Sequence, residues 1–317
     1  MVRMGILRLA AIIIALTCAG GCVRTMAQRI IETPNKGIAQ VDKVARGLQG
    51  AGAREAFAVD VRDARIQAWV LDAAGPGKPK GTVVLMHGLL RDSRQTLPFA
   101  RALAAAGFRC LLVDLRGHGA STGKYQTYGV EEARDVAAVL DRAYAEKLIV
   151  GPLGAWGFSL GGATALQAAA RDGRLKAAVS VEAFASMRDE VPRFGRILVP
   201  IFGWVSDETY TKAINRAGQM AGFNPDDADT VAAVKRIGYP VLIIHSAGDG
   251  LVPLEAARSL RAAGRAGSEL VVVSAGGHDQ VEFDRTGEVA AKTVEWFVQK
   301  LNVATAAAAY GENQNRK

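Results

Sequence analysis

Apolar runs alternate with amphipathic stretches along most of the chain. Eight short runs are typical of strands, at residues 56–61, 66–73, 82–88, 109–115, 153–159, 176–183, 240–246 and 269–275. Helical periodicity occupies the stretches at 97–107, 130–148, 160–172, 253–266 and 287–302. Continuous apolar strands separated by amphipathic helices indicate a mostly parallel sheet that is covered by helices on both faces.

Two departures from this alternation add detail to the prediction. The first two strands alternate apolar and polar residues and are joined only by residues 62–65, which predicts an antiparallel hairpin at one edge of the sheet. Between strands 6 and 7 the interval is too long for a structureless connection, which predicts a helical cap over residues 185–238. Its apolar and aromatic segment at 193–204 packs on the sheet domain as core, lines an acyl-binding pocket in part, or does both.

The N-terminus has the pattern of an export signal. Arg3 and Arg8 precede an apolar run over residues 9–21, which is too short to span about 30 Å of hydrocarbon but suits a secretory signal peptide over residues 1–21. The run ends in Ala-Gly-Gly-Cys, which resembles the cleavage box of bacterial lipoproteins, although Ala19 stands where leucine is preferred. We therefore predict a lipid anchor on Cys22 in a bacterial cell envelope, facing the periplasm. The alternatives are a soluble secreted or periplasmic form and an uncleaved anchor.

Residues 22–54 are predicted to form a basic tether. Apolar residues at 38, 41, 44 and 48 make a narrow stripe that fits one short helix. Six Lys/Arg against two acidic residues between Arg24 and Arg54 give a balance of +4, which favours either attraction to anionic lipid or a solvated linker. At the other end, residues 303–317 have no periodic apolar face and are predicted to be disordered.

Composition and charge narrow the class of protein. The chain has 317 residues, of which 50% are hydrophobic and 22% charged, enough to bury the core of one large domain or of two small ones. Of the net charge of +8, residues 1–54 contribute +6, from eight Lys/Arg against two acidic residues, and the remainder only +2. No aromatic residues are interleaved with the basic ones, so no nucleic-acid partner is expected.

With Cys22 lipidated and the leader removed, Cys110 is the only free thiol, and its apolar strand predicts burial.

Residues with chemical potential cluster where parallel strands end, and loops from neighbouring strands converge at that edge of a sheet. Ser159 ends the fifth strand between Gly157 and Gly161, a spacing that indicates a sharp turn from strand into helix. Asp249 follows the seventh strand and His278 follows the eighth.

Taken together, five segments make the chain resemble the α/β-hydrolase fold family over most of residues 55–302. The segments are MHGLL at 86–90, DLRGHGAST at 114–122, GFSLGG at 157–162, AGDGLVP at 247–253 and GGHDQ at 276–280. Each motif alone is weak, but the order Ser, then Asp, then His is the order of that family. Because residue 159 is Ser rather than Asp, the dehalogenase and epoxide-hydrolase branches of the family are disfavoured.

The resemblance assigns a role to each residue of the site. Ser159 is the expected nucleophile, His278 the base that takes its proton, and Asp249 the acid that orients the imidazole; Asp114 is a rival for the acid. Two backbone N–H groups, those of Leu160 and Leu89, are expected to bind the oxyanion, with Leu90 as the alternative to Leu89. The supporting residues of these motifs are His87, Gly88, Gly157 and Gly161.

These assignments predict a serine hydrolase that cleaves a carboxylic ester or thioester, a small acyl substrate, through an acyl-enzyme. One alternative is a serine aminopeptidase, in which three acidic cap residues would hold the α-ammonium group: Asp226, Asp227 and Asp229. The other is an envelope binding protein without turnover. The chain has no H-E-x-x-H or paired C-x-x-C motif, and the stretch RGHGASTGK departs from phosphate-loop and dinucleotide patterns. No metal or cofactor is therefore expected.

Overall fold

One eight-stranded sheet forms the centre of the protein. The structure, a computed structural model, describes residues 21–198, 204–274, 276–278, 281, 284 and 286–301. In chain order the strands are β1 (Arg54–Asp60), β2 (Arg65–Leu71), β3 (Thr82–Met86), β4 (Arg109–Val113), β5 (Leu153–Phe158), β6 (Leu175–Val181), β7 (Leu242–Ser246) and β8 (Glu269–Val273). They lie in the order β1-β2-β4-β3-β5-β6-β7-β8. From β4 to β8 all neighbours are parallel, which confirms the predicted fold class.

Helices cover this sheet and extend beyond it. Their bounds are α1 (Gly21–Ile31), α2 (Val41–Gln49), α3 (Leu97–Ala105), α4 (Val130–Ala145), α5 (Leu160–Arg171), α6 (Met187–Leu198), α7 (Asp207–Ala221), α8 (Thr230–Arg236), α9 (Leu254–Ala263) and α10 (Glu288–Lys300). Among the described residues, no helix has the length and apolar character needed to cross a membrane. The predicted signal peptide up to residue 20 and the predicted tail lie outside the described residues.

The predicted hairpin at the sheet edge is present. β1 pairs antiparallel with β2, in a register that places Asp60 opposite Arg65. β2 then pairs antiparallel with β4, where the parallel part of the sheet begins.

Strands in the middle of the sheet are apolar throughout because both of their faces are covered. All five residues of β3 are buried. Val84 and Met86 contribute to the apolar cluster on one face, whereas Val83 and Leu85 contribute to the cluster on the other. Since successive side chains of a strand point to opposite faces, a strand between two helical layers needs no polar positions.

The predicted helical cap is also present, between β6 and β7. It comprises α6, α7, a 3-10 turn over Pro225–Asp227, and α8. Of the apolar segment at 193–204, the first part belongs to α6, and residues 199–203 lie outside the described residues.

Residues 23–49 differ from the predicted tether, because they fold against the rest of the protein. Met26, Ala27 and Ile31 of α1 share a buried apolar cluster with residues of the cap helix α7. In α2, Leu48 is buried, whereas Ile38, which belongs to the same predicted stripe, is 74% exposed. Only half of the predicted stripe is therefore buried. The main contact between this segment and the rest of the protein is made by the apolar face of α1, which the stripe did not include.

Candidate active site

Ser159 occupies the turn between β5 and α5. Its backbone has φ 53° and ψ −115°, in the left-handed region that a non-glycine residue rarely adopts. The Ser159 N–H donates to the carbonyl of Val181 at 2.7 Å, which ties the turn to the end of β6. Strained backbone of this kind is found where a side chain must be presented at a functional site.

Gly157 and Gly161 make this turn possible through their small size. A Cβ on Gly157 would lie 2.0 Å from the carbonyl oxygen of Gly161, and a Cβ on Gly161 would lie 2.3 Å from the carbonyl oxygen of Met86. Neither glycine has a positive φ, so Ser159 itself carries the unusual backbone conformation. The two glycines allow β5, α5 and β3 to approach one another closely.

The structure brings together the three side chains that the sequence analysis expected to act together. His278 Nε2 lies 3.0 Å from Ser159 Oγ, and His278 Nδ1 lies 2.6 Å from Asp249 Oδ2. Asp249 and His278 are 9% and 8% exposed, so the hydrogen bonds form largely away from water. Because a carboxylate only accepts hydrogen bonds, Nδ1 carries the proton, which leaves Nε2 free to accept the serine proton.

Asp249 is held as an anion by several donors. The backbone N–H groups of Leu251 and Val252 donate to its Oδ1 at 2.8 Å and 2.9 Å. Burial opposes ionisation, but the hydrogen bonds, that from His278 foremost, outweigh it and hold the pKa of Asp249 well below its ordinary value. A fixed negative charge beside Nδ1 stabilises the imidazolium that forms when His278 takes a proton.

Glu182, at the end of β6, is a residue of the site that the sequence analysis missed. Its side chain is fully buried, and its Oε1 accepts the N–H of Ser246 at 2.7 Å. Oxygen atoms of Glu182 and Asp249 and a ring nitrogen of His278 all lie within 4.8 Å of one another. Burial, followed by the neighbouring Asp249, raises the pKa of Glu182 to about 10, so the Glu182 carboxyl keeps its proton at neutral pH.

Those three residues are also the cluster with metal-ligand spacing found among the described residues. At 2.6 Å, the bond between His278 Nδ1 and Asp249 is too short to admit a cation between the two atoms. The Nε2 atom is directed at Ser159. This arrangement fits a hydrogen-bonded chain of acid, base and hydroxyl better than a set of metal ligands.

The loop after β3 contains Leu89, the second residue expected to bind the oxyanion. His87 Nδ1–H donates to the carbonyl of Gly88 at 2.7 Å, and the Gly88 N–H donates to Gln95 at 2.6 Å, so the loop is internally fixed. Leu89 and Leu160 line the same small cavity as Ser159. The Leu160 N–H belongs to the first turn of α5, where no carbonyl of the same helix accepts it. Leu90, the alternative donor, lines a second cavity together with Leu89 and Ser159.

The other histidines have structural partners. His87 Nε2 accepts the N–H of Leu115 at 2.9 Å, and His118 Nδ1 bonds the carbonyl of Arg116 at 2.8 Å. Burial lowers the pKa of His87 and of His118 to about 4, so both rings are neutral at pH 7. His245 Nε2 bonds the carbonyl of Val252 at 3.0 Å.

Asp114, the rival acid, is occupied elsewhere. It accepts hydrogen bonds from Trp69 Nε1, from the backbone and hydroxyl of Ser93 and from the N–H of Ala120, all within 3.0 Å. Through these hydrogen bonds the Asp114 carboxylate connects the end of β4 to the neighbouring segments of the chain. Asp249, and not Asp114, contacts His278.

The three acidic residues considered for an α-ammonium group are not gathered at Ser159. Asp226 pairs with Arg188, and Asp229 accepts the N–H of Ala232 as the N-cap of α8. The cavity that Asp226, Asp227 and Asp229 line shares no residue with the two cavities that contain Ser159. The prediction that these three residues would hold an α-ammonium group beside Ser159 is therefore wrong.

The protein has the α/β-hydrolase fold, with the strand order of that fold, a serine at the turn after β5, and an acid and a histidine after β7 and β8. Within this class, residues 77–222 match the family model of the serine aminopeptidases, S33. A curated relative, the uncharacterized protein YqkD of Bacillus subtilis, is 24% identical over 232 residues, which are 73% of this chain and 75% of that protein.

Solved structures show the same fold. The Pyrococcus furiosus esterase Pf2001 superposes with a TM-score of 0.65 at 18% identity, covering 86% of this chain and 98% of that one. Est1E from Butyrivibrio proteoclasticus, solved with ferulic acid bound, has a TM-score of 0.62 at 22% identity and covers 77% of this chain and 99% of its own.

Proposed function

We propose that the protein is a serine esterase that cleaves carboxylic esters through an acyl-enzyme on Ser159. The observation that carries the proposal is the continuous hydrogen-bonded chain from Ser159 Oγ through His278 to Asp249. A serine hydroxyl is a weak nucleophile unless a base removes its proton as it attacks, and this chain supplies the base. Structural likeness to two esterases supports the same reaction class.

The chemistry follows from the positions of these groups. Ser159 Oγ attacks the ester carbonyl while His278 Nε2 takes its proton, and the N–H groups of Leu89 and Leu160 bind the oxyanion. His278 then protonates the leaving alcohol as the C–O bond breaks, which leaves the acyl group on Ser159. Water attacks this acyl-enzyme with His278 again as base, so the acid is released and Ser159 regains its proton. Each oxyanion donor is worth about 3 kcal/mol of barrier.

Two cavities that contain Ser159 fit the two halves of an ester substrate. A cavity of about 190 Å³ contains His278, which delivers the proton to the leaving group, so it fits the alcohol side. A smaller space of about 30 Å³ contains Ser159 and Leu160 without His278, and it fits the acyl side. Phe194 of α6 lines both, which supports a cap that contacts substrate. A thioester would occupy the same positions with a thiol as the leaving group.

A peptidase is the second candidate, favoured by the name of the matching family model. Glu190, from the cap helix α6, lines the acyl-side cavity. Burial raises the pKa of Glu190 to about 8, so at pH 7 its carboxyl is mostly protonated and presents little fixed charge to an ammonium group. The site therefore supports an uncharged acyl group better than a free amino terminus.

Labelling by a fluorophosphonate probe, together with hydrolysis of p-nitrophenyl acetate, tests the proposal. The protein is expected to be labelled once and to hydrolyse the ester. The Ser159→Ala variant should lose the label and at least 1,000-fold in kcat, because the attacking oxygen is gone. No labelling of the unaltered protein, or labelling that persists in Ser159→Ala, would contradict the assignment. Preference for aminoacyl anilides over esters would favour the peptidase.

A further inference from the structure

The acyl-side space at Ser159 continues into a larger cavity of about 240 Å³. The two share five wall residues: Leu89, Gln126, Tyr128, Val191 and Phe194. They therefore form one cleft, which we call the acyl cleft, with Ser159 at its narrow end. At the wide end the wall is supplied by α1, through Met26, Arg29 and Ile30.

Helix α1 is fixed firmly in this position. The carbonyl of Ile30 accepts hydrogen bonds from Gln126 Nε2 at 3.1 Å and from Tyr128 Oη at 3.0 Å, and both of these side chains line the cleft. The carbonyl of Ile31 accepts the N–H of Gln126 at 2.9 Å. Together with the buried contact between α1 and α7, these bonds make the helix part of the cleft wall.

The chemistry of the wide end selects an apolar ligand. Met26 and Ile30 line it together with Leu90, Val191 and Phe194. The charged residues of this part of the wall, Arg29 and Glu32, pair with each other at 3.0 Å. A chain of methylene groups would therefore be desolvated here without leaving a buried charge unpaired.

We propose that Met26 and Ile30 of α1 form the far end of an acyl-chain site, and that the protein prefers esters of medium-chain fatty acids to acetyl esters. This inference rests on the proposed function, because it takes Ser159 as the point where the acyl group is attached. Each methylene buried in such a site contributes about 0.8 kcal/mol, or roughly fourfold in affinity. The preference should therefore grow with chain length until the wide end is filled.

Chain-length profiles test the inference. We would measure kcat/KM for p-nitrophenyl acetate, butyrate, octanoate and dodecanoate with the unaltered protein, Ile30→Trp and Gln28→Trp. The unaltered protein should favour octanoate over acetate at least tenfold. In Ile30→Trp the ratio of octanoate to acetate should fall at least tenfold, because indole fills the wide end. Gln28→Trp places the same bulk on the exposed side of α1 and should keep the ratio.

A second variant, which enlarges the cleft, keeps the inference testable if Ile30→Trp does not fold. Ile30→Ala lengthens the cleft and should raise the ratio of dodecanoate to octanoate severalfold. A flat profile in the unaltered protein, or ratios that stay constant in both Ile30 variants, would overturn the inference while ester hydrolysis itself persists. Failure of the proposed function would look different, as loss of fluorophosphonate labelling and of acetate hydrolysis in the unaltered protein.

Discussion

Ser159 and Glu182 both have left-handed backbone angles, φ 53° and 55°, at the ends of the neighbouring strands β5 and β6. Non-glycine residues in this region cost on the order of 1–3 kcal/mol each unless the surroundings compensate. Both side chains reach the same hydrogen-bonded group, since Ser159 contacts His278 and Glu182 lies against Asp249. Two of the non-glycine residues with positive φ among the described residues therefore belong to the site.

The protonation state of Glu182 leads to a test by substitution. Its Oε2 lies 3.2 Å from His245 Nδ1 and close to Asp249, so a protonated carboxyl has two acceptors for one proton. In Glu182→Gln the amide replaces this O–H donor and keeps an oxygen for the Ser246 N–H. We expect kcat/KM within about threefold of the unaltered protein, and an acidic limb of the pH profile that does not move.

The matched variant Glu182→Leu removes both donor and acceptor. The Ser246 N–H and Asp249 then lose a partner in a buried place, which should lower kcat/KM at least tenfold. An ionised Glu182 would behave in the opposite way. Its replacement by Gln would delete a negative charge near His278 and shift the acidic limb of the kcat/KM profile to lower pH, so such a shift would contradict the assignment.

At the scale of single residues, the sequence predicted those site residues that stand at a recognisable turn or directly after a predicted strand. Ser159, Asp249 and His278 were identifiable because each follows an apolar strand in a defined order. Glu182 also directly follows an apolar strand, and that position was the available signal. It was missed because a glutamate after a strand is usually solvated, and its burial depends on β7, sixty residues further along the chain.

At the scale of elements, α1 is a segment that the sequence predicted to be a tether but that packs against the cap. Ile31 is completely buried against the cap, whereas Ile38 on the connection to α2 is 74% exposed. We expect Ile31→Ala to lower the free energy of unfolding by about 2–5 kcal/mol. Ile38→Ala should change it by no more than about 0.5 kcal/mol. Urea denaturation of the two variants beside the unaltered protein measures both, and equal effects would indicate that α1 does not pack as described.

Strands and most helices were predictable because their periodicity is local. A strand covered on both faces reads as a continuous apolar run whatever its neighbours are. The packing of α1 was not predictable in this way, since its apolar residues bury against α7, which lies almost two hundred residues further along the chain.

At the scale of the whole molecule, buried carboxyls make stability depend on pH. Glu190 is 6% exposed, and burial raises its pKa from an ordinary 4.5 to about 8. The folded protein therefore holds a proton that the unfolded chain releases, and stability falls as pH rises from about 4.5 towards 8. The neutral His87 and His118 act in the opposite direction, but only below their ordinary pKa of 6.5.

Comparison with Glu190→Gln isolates this contribution. Between pH 6.5 and 8 the free energy of unfolding of the unaltered protein should fall more steeply than that of Glu190→Gln, by up to about 1.4 kcal/mol per pH unit. Urea denaturation at several pH values gives the two slopes. Parallel slopes would show that Glu190 keeps its ordinary pKa in the folded protein.

Helix α1 also sets the geometry of attachment under our proposal that Cys22 carries lipid. The helix begins at Gly21, so no slack chain separates Cys22 from Ile30 at the wide end of the acyl cleft. Eight residues of helix rise only about 12 Å. An enzyme anchored in this way would not sample its surroundings on a flexible stalk, and the wide end of its acyl cleft would stay within about 12 Å of the lipid attachment point along the helix axis.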